Sequence, residues 1–180
     1  MTFAPDITEQ LARARADLRM GVPVVFAGAE PVVLLAAETL DAARLADLLA
    51  LGGEPVLAIT ARRAQTLKAH AYDGDLARLI LPVDATPAWV QSIADPADDL
   101  RAPMKGPFKC ARGGDASAHR AALQLIKSAR LLPAALVLSV ADGAGFAAQH
   151  GLTCLDLAKA APALETRSPL HPVVSARLPM

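Results

Sequence analysis

A histidine at the start of a predicted helix is the residue of this chain best suited to bind a metal. The segment Arg112-Gly-Gly-Asp-Ala-Ser-Ala-His119 leads into that helix and places His119 in its first turn. A metal site needs further ligands, usually a carboxylate or a second histidine that converges on the first. None is close in sequence, and the cationic Arg120 follows directly. We therefore expect no metal site and interpret His119 as a surface or capping histidine.

Four cations before that helix could hold a phosphate group, because the free backbone N–H groups of a helix start favour anions. They are Arg101, Lys105, Lys109 and Arg112. The alternative, which we favour, is a solvated basic loop paired with the neighbouring carboxylates Asp95, Asp98 and Asp99. The nearby Gly113-Gly114 lacks the downstream Lys-Ser/Thr pair of a nucleotide-binding loop. Arg101, Lys105 and Arg112 remain the candidates for binding phosphate.

The other polar residues give weaker signals. Ser139 ends a predicted strand without the flanking glycines of a nucleophile elbow and is interpreted as a packed serine. Asp73-Gly-Asp75 lacks the later acids of a calcium loop and is predicted to be a turn. The remaining histidines are isolated and are expected to be structural: His70, His150 and His171.

Composition and charge exclude several classes of protein. The chain has 180 residues with 18 basic and 18 acidic side chains, so its neutral balance gives no reason to expect binding to nucleic acid or to an anionic membrane. No apolar run approaches the ~20 residues that span a bilayer. Cys110 and Cys154 lack zinc-site spacing and are expected to be free thiols. We expect a cytoplasmic protein.

Hydrophobic periodicity predicts alternating helices and strands. A stripe of apolar residues predicts a first helix from residue 7 to about Gly21, and the β-branched runs at 23–26 and 31–35 predict a hairpin. Further strands are predicted at residues 55–59, 76–83, 134–140 and 153–155. Four residues are predicted to be helix N-caps: Thr39, Thr60, Thr86 and Ser117. This order predicts an α+β fold, a mixed sheet with flanking helices.

Two segments lack a core pattern. Residues 95–114 carry prolines, glycines and cations with little periodicity, which predicts a long loop. Residues 162–180 contain four prolines. We therefore predict one α/β domain over residues 1–161, followed by a proline-rich tail or linker over residues 162–180.

Several stretches together resemble one enzyme family. Residues 24–38 are similar to a valine-rich strand, an acidic Arg-Glu-x-Glu-Gly-Asp loop and a strand that ends Ala-Ala-Glu. Residues 112–140 are similar to a Gly-His-Thr-Glu-Ala helix with the strand that follows it, and residues 146–157 to a closing helix and strand. The family is 3,4-dihydroxy-2-butanone 4-phosphate synthase, which cleaves ribulose 5-phosphate with magnesium in riboflavin biosynthesis. The resemblance covers most of residues 8–160, is weakest at 72–110, and implies the fold of that family.

The residues that carry the family's chemistry are replaced in this chain. The resemblance places the magnesium-binding glutamate at about Gly28, the substrate-contacting aspartate at Val32 and the catalytic glutamate of the later strand at Ser139. A loop histidine falls near Lys105. Only Glu30 remains of the acidic loop.

A magnesium ion would therefore have few ligands. His119 matches the family's metal histidine only after a shift of several residues, so Glu30 and His119 are remnant candidates for catalytic residues. Magnesium prefers oxygen ligands, and almost no carboxylates remain for it. Proton abstraction from a sugar phosphate also needs a positioned base. We expect no cofactor and no catalysis from this chain alone.

The tail is similar to the lead-in of a GTP cyclohydrolase II domain, at Leu170-His-Pro-Val-Val-Ser-Ala-Arg177. The resemblance implies a structural, dimerising or regulatory domain of a riboflavin-biosynthesis protein, with a GTP cyclohydrolase II domain as partner in cis or in trans. It also implies a homodimer. The alternative is an active magnesium-dependent synthase or related sugar-phosphate lyase in which Glu30 and His119 rebuild a divergent site. A third possibility is a module that binds a phosphate effector through Arg101, Lys105 and Arg112.

Overall fold

A computed structural model describes residues 3–165, and its centre is a six-stranded mixed sheet. Along the sheet the order is β4-β3-β5-β2-β1-β6. Neighbouring strands are antiparallel except for β1 and β6, which are parallel. The predicted α+β class is confirmed. The strands are β1 (Val24–Ala27), β2 (Val32–Ala36), β3 (Val56–Thr60), β4 (Leu76–Ile80), β5 (Ala134–Ser139) and β6 (Thr153–Asp156).

Seven helices of the described residues cover both faces of this sheet. They are α1 (Ile7–Arg19), α2 (Ala42–Ala50), α3 (Ala61–Leu67), α4 (Pro87–Ala94), α5 (Ser117–Ser128), α6 (Gly143–His150) and α7 (Leu157–Glu165). One core lies between the sheet and α1, α5 and α7, and the other between the sheet and α2, α3, α4 and α6. Because successive strand residues point to opposite faces, neighbours such as Val32 and Val33 belong to different cores.

The N-cap predictions are partly confirmed. The hydroxyls of Thr60 and Thr86 accept the expected backbone N–H bonds at the starts of α3 and α4. The prediction for Thr39 is wrong, because its hydroxyl donates to the Leu18 carbonyl and Asp41 caps α2 instead.

Two further helix boundaries differ from the sequence predictions. The N-cap of α5 is Ala116, and Ser117 is the first helical residue, with its hydroxyl bonded to Asp115. The predicted basic helix from Thr60 to about Ala71 is shorter, because Lys68 adopts a left-handed conformation with φ of 58° and ends α3 at Leu67.

The predicted long loop is confirmed between α4 and α5. It contains one short 3-10 turn, Pro96–Asp98. Further along, its backbone follows the outer side of β4, where the Ile80 N–H donates to Lys109 O at 2.9 Å and the Ala111 N–H to Arg78 O at 2.8 Å.

The predicted boundary at residue 161 falls inside α7, which continues through Pro162 to Glu165. Residues 166–180, which hold the rest of the predicted tail and His171, lie outside the described residues. No helix of residues 3–165 is both long and apolar enough to cross a membrane.

Candidate functional site

Three positions at which the resemblance to the synthase places functional residues lie together at one end of the sheet. Val32 on β2 is the direct register partner of Ser139 on β5. The backbone continues this pairing, since the Val140 N–H donates to Pro31 O at 2.9 Å. Gly28 lies in the exposed β1–β2 turn beside them. The fold thus places Gly28, Val32 and Ser139 at the same end of the sheet, where none carries an ionisable group. Ser139 is exposed there, so its interpretation as a packed serine is wrong.

The carboxylates at this end of the sheet are exposed or are used as helix caps. Glu30 is exposed in the β1–β2 turn and makes no side-chain hydrogen bond within residues 3–165. Asp142 accepts the Gly145 N–H at 2.9 Å at the start of α6. Asp156 accepts the Ala158 N–H at 2.9 Å at the start of α7. A carboxylate that accepts hydrogen bonds from a helix start is poorly placed to act as a proton acceptor.

These residues do not fit a magnesium ion. Magnesium takes near-octahedral oxygen ligands, usually with one or two carboxylates from the protein. Glu30 is the only carboxylate at the turn that is not engaged in capping, among the described residues. Nowhere in residues 3–165 do three or more His, Cys, Asp or Glu side chains converge as metal ligands.

A glycine fixes the position of α6 against the β1–β2 hairpin. A Cβ atom on Gly143 would lie 2.8 Å from Pro31 Cβ and 3.3 Å from both Phe26 O and Val25 Cγ1. Only a residue without a side chain allows this approach, because the first of these distances is far inside van der Waals contact. The hairpin and the start of α6 are therefore held in direct contact.

Lys105 is buried in an ionic network and is not presented to solvent. Its Nζ donates to Ser92 O at 2.7 Å and to the carboxylate of Asp99, and only 4% of its side chain is exposed. Arg63 of α3 binds both oxygens of Asp99, at 2.6 and 2.7 Å. The two cations hold the pKa of Asp99 far below its usual range, Arg63 having the larger effect. This network attaches the long loop to α3 and α4.

The three candidate phosphate ligands have different neighbours. Arg101 is exposed and forms an ion pair with Asp98 three residues earlier. Lys105 is part of the buried network. Arg112 lies at the other end of the loop, with its guanidinium carbon 4.6 Å from the centre of the Tyr72 ring. The structure thus gives each of the three a separate contact and does not bring them together around one anion.

His119 is more buried than the sequence suggested. It is half-buried, and its Nδ1 is buried without a hydrogen-bond partner in residues 3–165. Burial lowers the pKa of His119 to about 4, and the positive charge of Arg78 acts in the same direction. The interpretation as a surface or capping histidine is therefore wrong. The imidazole is packed in neutral form beside the Arg78–Asp73 ion pair.

Glu30 and His119 are far apart within the chain. Glu30 lies at the end of the sheet that contains Ser139. His119 lies at the start of α5, where the next residue, Arg120, donates to Asp75 at 2.8 Å. Asp75 directly precedes β4, three positions along the sheet from β2, and at the opposite end of the strands. One chain cannot join these two residues around a metal.

The long loop and the β4–α4 connection expose large apolar side chains. Val83, Leu100 and Met104 have exposed fractions of 104%, 94% and 91%. Val83 and Met104 line the same open cleft, whose floor includes the half-buried rings of Trp89 and Phe108. We call Val83, Leu100, Met104, Trp89 and Phe108 the apolar loop surface. Val83 and Met104 share one cleft with these two rings, and exposed apolar groups gathered at one cleft are typical of protein interaction sites.

Comparisons with solved structures show which known proteins have a similar fold. The chain is similar to a cation-free 3,4-dihydroxy-2-butanone 4-phosphate synthase, with a TM-score of 0.62 and 16% identity over 86% of this chain and 96% of the other. The corresponding enzyme of Candida albicans gives a TM-score of 0.62 and 17% identity, over 92% of this chain and 100% of the other. The chain has the fold of 3,4-dihydroxy-2-butanone 4-phosphate synthase. The two-domain synthase RibBX of A. baumannii gives a TM-score of 0.60 and 16% identity, over 83% of this chain and 56% of the other.

A second comparison links this synthase-like domain to GTP cyclohydrolase II. The chain is 34% identical over 142 residues to GTP cyclohydrolase-2 of Azospirillum brasilense, and the match includes 76% of this chain. The chain spans 36% of the length of that relative. No protein-family model matches the chain.

The sequence did not predict the contribution of Arg63 to the buried ionic network. Arg63 also donates to the carbonyl of Ile93, at 2.6 Å, and to that of Ser92, at 3.2 Å. The available signal was a basic helix followed about thirty residues later by a cluster of aspartates, but a pairing at that separation has no periodicity. The pairing of Lys105 with Asp99 agrees with the favoured interpretation of an ion-paired loop, but Lys105 is buried and not solvated.

Proposed function

We propose that this chain is a non-catalytic synthase-like domain of a GTP cyclohydrolase II-type riboflavin-biosynthesis protein, with a structural or regulatory role. The observation that carries the proposal is the sheet end formed by Gly28, Val32 and Ser139. The fold of the synthase is retained there, but these positions supply neither a carboxylate nor an imidazole.

The surroundings of that end support the proposal. Proton abstraction needs a base within hydrogen-bond reach of the substrate. Asp142 and Asp156 already accept backbone N–H groups, and Lys105 is buried against Asp99. This leaves Glu30 as the only free carboxylate of the β1–β2 turn. A single exposed carboxylate on a turn is not a preorganised acid–base pair.

An activity assay tests the absence of catalysis. Purified chain with ribulose 5-phosphate and magnesium should form no dihydroxybutanone phosphate above a protein-free blank. An active synthase of this fold, assayed in parallel, shows that the conditions support turnover. Turnover that exceeds the blank and is lost in Glu30→Gln would overturn the proposal.

The rival function, a magnesium-dependent lyase, has one observation in its favour. The Nδ1 of His119 is buried without a partner among residues 3–165, and such an atom is available to a ligand. Calorimetric titration with magnesium and manganese separates the two functions. The non-catalytic domain should give no heat of specific binding. Tight binding that His119→Ala abolishes and His150→Ala retains would favour the lyase, and turnover of ribulose 5-phosphate that is lost in the same variant would establish it.

The positive role we propose is docking, to a GTP cyclohydrolase II domain in cis or in trans and to a second copy of this chain. The apolar loop surface supports this role, because Val83, Leu100 and Met104 are almost fully exposed. The buried network of Arg63, Asp99 and Lys105 holds the loop that carries two of these side chains. A preorganised surface loses less conformational entropy on binding than a mobile one.

Variants of exposed residues test the docking role. Val83→Ser with Met104→Ser should weaken association with a separately expressed GTP cyclohydrolase II domain, or of the chain with itself, as measured by sedimentation velocity. Met20→Ser is the matched control, because Met20 is an exposed apolar residue outside the apolar loop surface. Equal association of the double variant and the control would exclude this surface as the interface. We also propose a cytoplasmic location, which fits the two free thiols, Cys110 and Cys154.

A further inference from the structure

A pocket between α2 and α6 contains an arginine without a partner. The pocket is about 380 Å³ in volume, and its apolar lining includes Val33 and Leu35 of the sheet, Leu48 of α2 and Phe146 of α6. Arg44, Asp47 and His150 also line it, and Asp47 and His150 are exposed to solvent. We call this the α2–α6 pocket. It lies on the face of the sheet opposite α1, α5 and α7, and its volume is within the range of ~300–1,000 Å³ of small-molecule sites.

Arg44 differs from the other arginines of the described residues that are not fully exposed. Each of those donates from its side chain to a protein oxygen: Arg15 to Ser128, Arg63 to Asp99, Arg78 to Asp73 and Arg120 to Asp75. Arg44 is half-buried, as Arg15, Arg63 and Arg120 are, yet its guanidinium makes no hydrogen bond or ion pair within residues 3–165. Asp47, one helical turn away, does not bind it. A half-buried guanidinium with its donors unused is well suited to an anion from outside the protein.

The charges that line the pocket limit the anion it can take. Arg44 supplies one positive charge and Asp47 one negative charge, and His150 is exposed. Polyanions such as nucleotide triphosphates need more positive charge than this. A carboxylate matches a single guanidinium, because the two planar groups can form paired hydrogen bonds.

The walls of the pocket select the body of the ligand. The Phe146 ring lies 4.5 Å from the His150 ring, centre to centre, and forms an aromatic wall beside α6. Val33, Leu35 and Leu48 provide aliphatic surface on the other sides. We propose that the α2–α6 pocket binds a small monocarboxylate with an aromatic or branched aliphatic body, whose carboxylate pairs with Arg44. This site is independent of the proposed docking role and of the synthase-like sheet end.

Methyl NMR with phenylacetate as the probe tests this site on the whole chain. Phenylacetate should shift the methyl signals of Val33, Leu35 and Leu48, and its affinity should fall roughly tenfold or more in Arg44→Gln, the loss expected for one charged hydrogen-bonded pair. Asp47→Asn should bind more tightly, because it removes a like charge. Arg62→Gln, on an exposed arginine of α3, is the matched control and should bind as the unaltered chain does.

Two analogues of phenylacetate test the contributions of its carboxylate and its aromatic ring separately. Phenylacetamide, which keeps the ring and loses the charge, and acetate, which keeps the charge and loses the ring, should each bind much more weakly. Equal binding of either analogue would overturn the proposal, as would unshifted methyl signals or equal effects of Arg44→Gln and Arg62→Gln. Arg44→Gln should fold normally because its guanidinium has no partner in residues 3–165, and the Asp47→Asn and analogue measurements do not depend on that variant.

Discussion

Val32 and Ser139 are direct partners across the antiparallel strands β2 and β5, one buried and one exposed. The resemblance to the synthase places an aspartate and a glutamate at these two positions. Their pairing means that acids at these two positions would be neighbours in space although 107 residues separate them in sequence. The register thus places both positions in one compact part of the sheet.

Acidic substitutions at Val32 and Ser139 should lower the free energy of unfolding by different amounts. Val32→Asp should lower the free energy of unfolding by about 3 kcal/mol, because it buries an unpaired carboxylate. Ser139→Glu should change it by less than about 0.5 kcal/mol, since the side chain reaches solvent. The double variant should lose more free energy of unfolding than the two single variants lose together, because like charges directly opposite each other repel. Urea denaturation measures all three. Wild-type stability of Val32→Asp would contradict the burial described here.

The Arg63–Asp99–Lys105 network should stabilise the domain. Asp99→Asn leaves two largely buried cations without a counter-charge and should cost about 3 kcal/mol, the lower end for breaking a buried ion pair, because the Asp99 side chain is still 30% exposed. Lys105→Met is the control. It removes one cation but leaves the Arg63–Asp99 pair intact, so it should cost less. Both are measured by urea denaturation at pH 7.

The same network predicts an effect of acid. The pKa of Asp99 is lowered in the folded chain, so its stabilisation is complete above the unfolded pKa of ~3.9 and is lost as the pH falls further. The difference in stability between the unaltered chain and Asp99→Asn should therefore narrow below about pH 4. A constant difference down to pH 2 would show that Asp99 does not stabilise the folded chain through its ion pairs with Arg63 and Lys105.

As the pH is lowered, protonation linked to His119 should begin to reduce the stability of the domain at a higher pH than protonation of Asp99 does. Its pKa is about 4 in the folded chain and 6.5 for the unperturbed group, so the unfolded chain binds the proton more readily. Stability should be complete above pH 6.5 and fall as the pH decreases toward 4, by up to about 3 kcal/mol at ~1.4 kcal/mol per unit of pKa. His119→Gln should remove this slope, and His150→Gln, on an exposed histidine, should keep it. Thermal melts across that pH range measure the difference.

Gly143→Ala should destabilise the domain although alanine favours helices. The added Cβ would meet Pro31 Cβ at 2.8 Å, so the hairpin or α6 must move. Overpacking of this kind costs about 1–3 kcal/mol. Gly28→Ala is the control, since its Cβ would meet only Leu157 Cβ, at 3.6 Å. Equal stability of the two variants would contradict the close contact between α6 and the hairpin.

The fold was predictable where the sequence pattern is local. The β-branched runs predict the β1–β2 hairpin because only a short turn separates them. The N-cap of α2 was not predictable, because Thr39 and Asp41 are both good cap residues two positions apart. The choice depends on Leu18, whose carbonyl accepts from the Thr39 hydroxyl and which comes from a different element.

The candidate site was less predictable because its contacts connect distant parts of the chain. The cation beside His119 in sequence, Arg120, argued against a bound metal, so a surface or capping histidine was the favoured interpretation. In the fold Arg120 turns to Asp75, 45 residues away, and the Nδ1 of the half-buried imidazole is covered. The sequence favoured pairing of Lys105 with a neighbouring carboxylate, but only the tertiary structure shows that the pair is buried and that Arg63 of α3 completes it.

The hydrogen bonds from Ile80 to Lys109 and from Ala111 to Arg78 have a consequence for solubility. An edge strand with free N–H and C=O groups is a template onto which another chain can add a strand. The long loop occupies that position on β4 and so acts as a guard against aggregation. The buried ions that tether the loop therefore also help to keep a strand of another copy from pairing with β4.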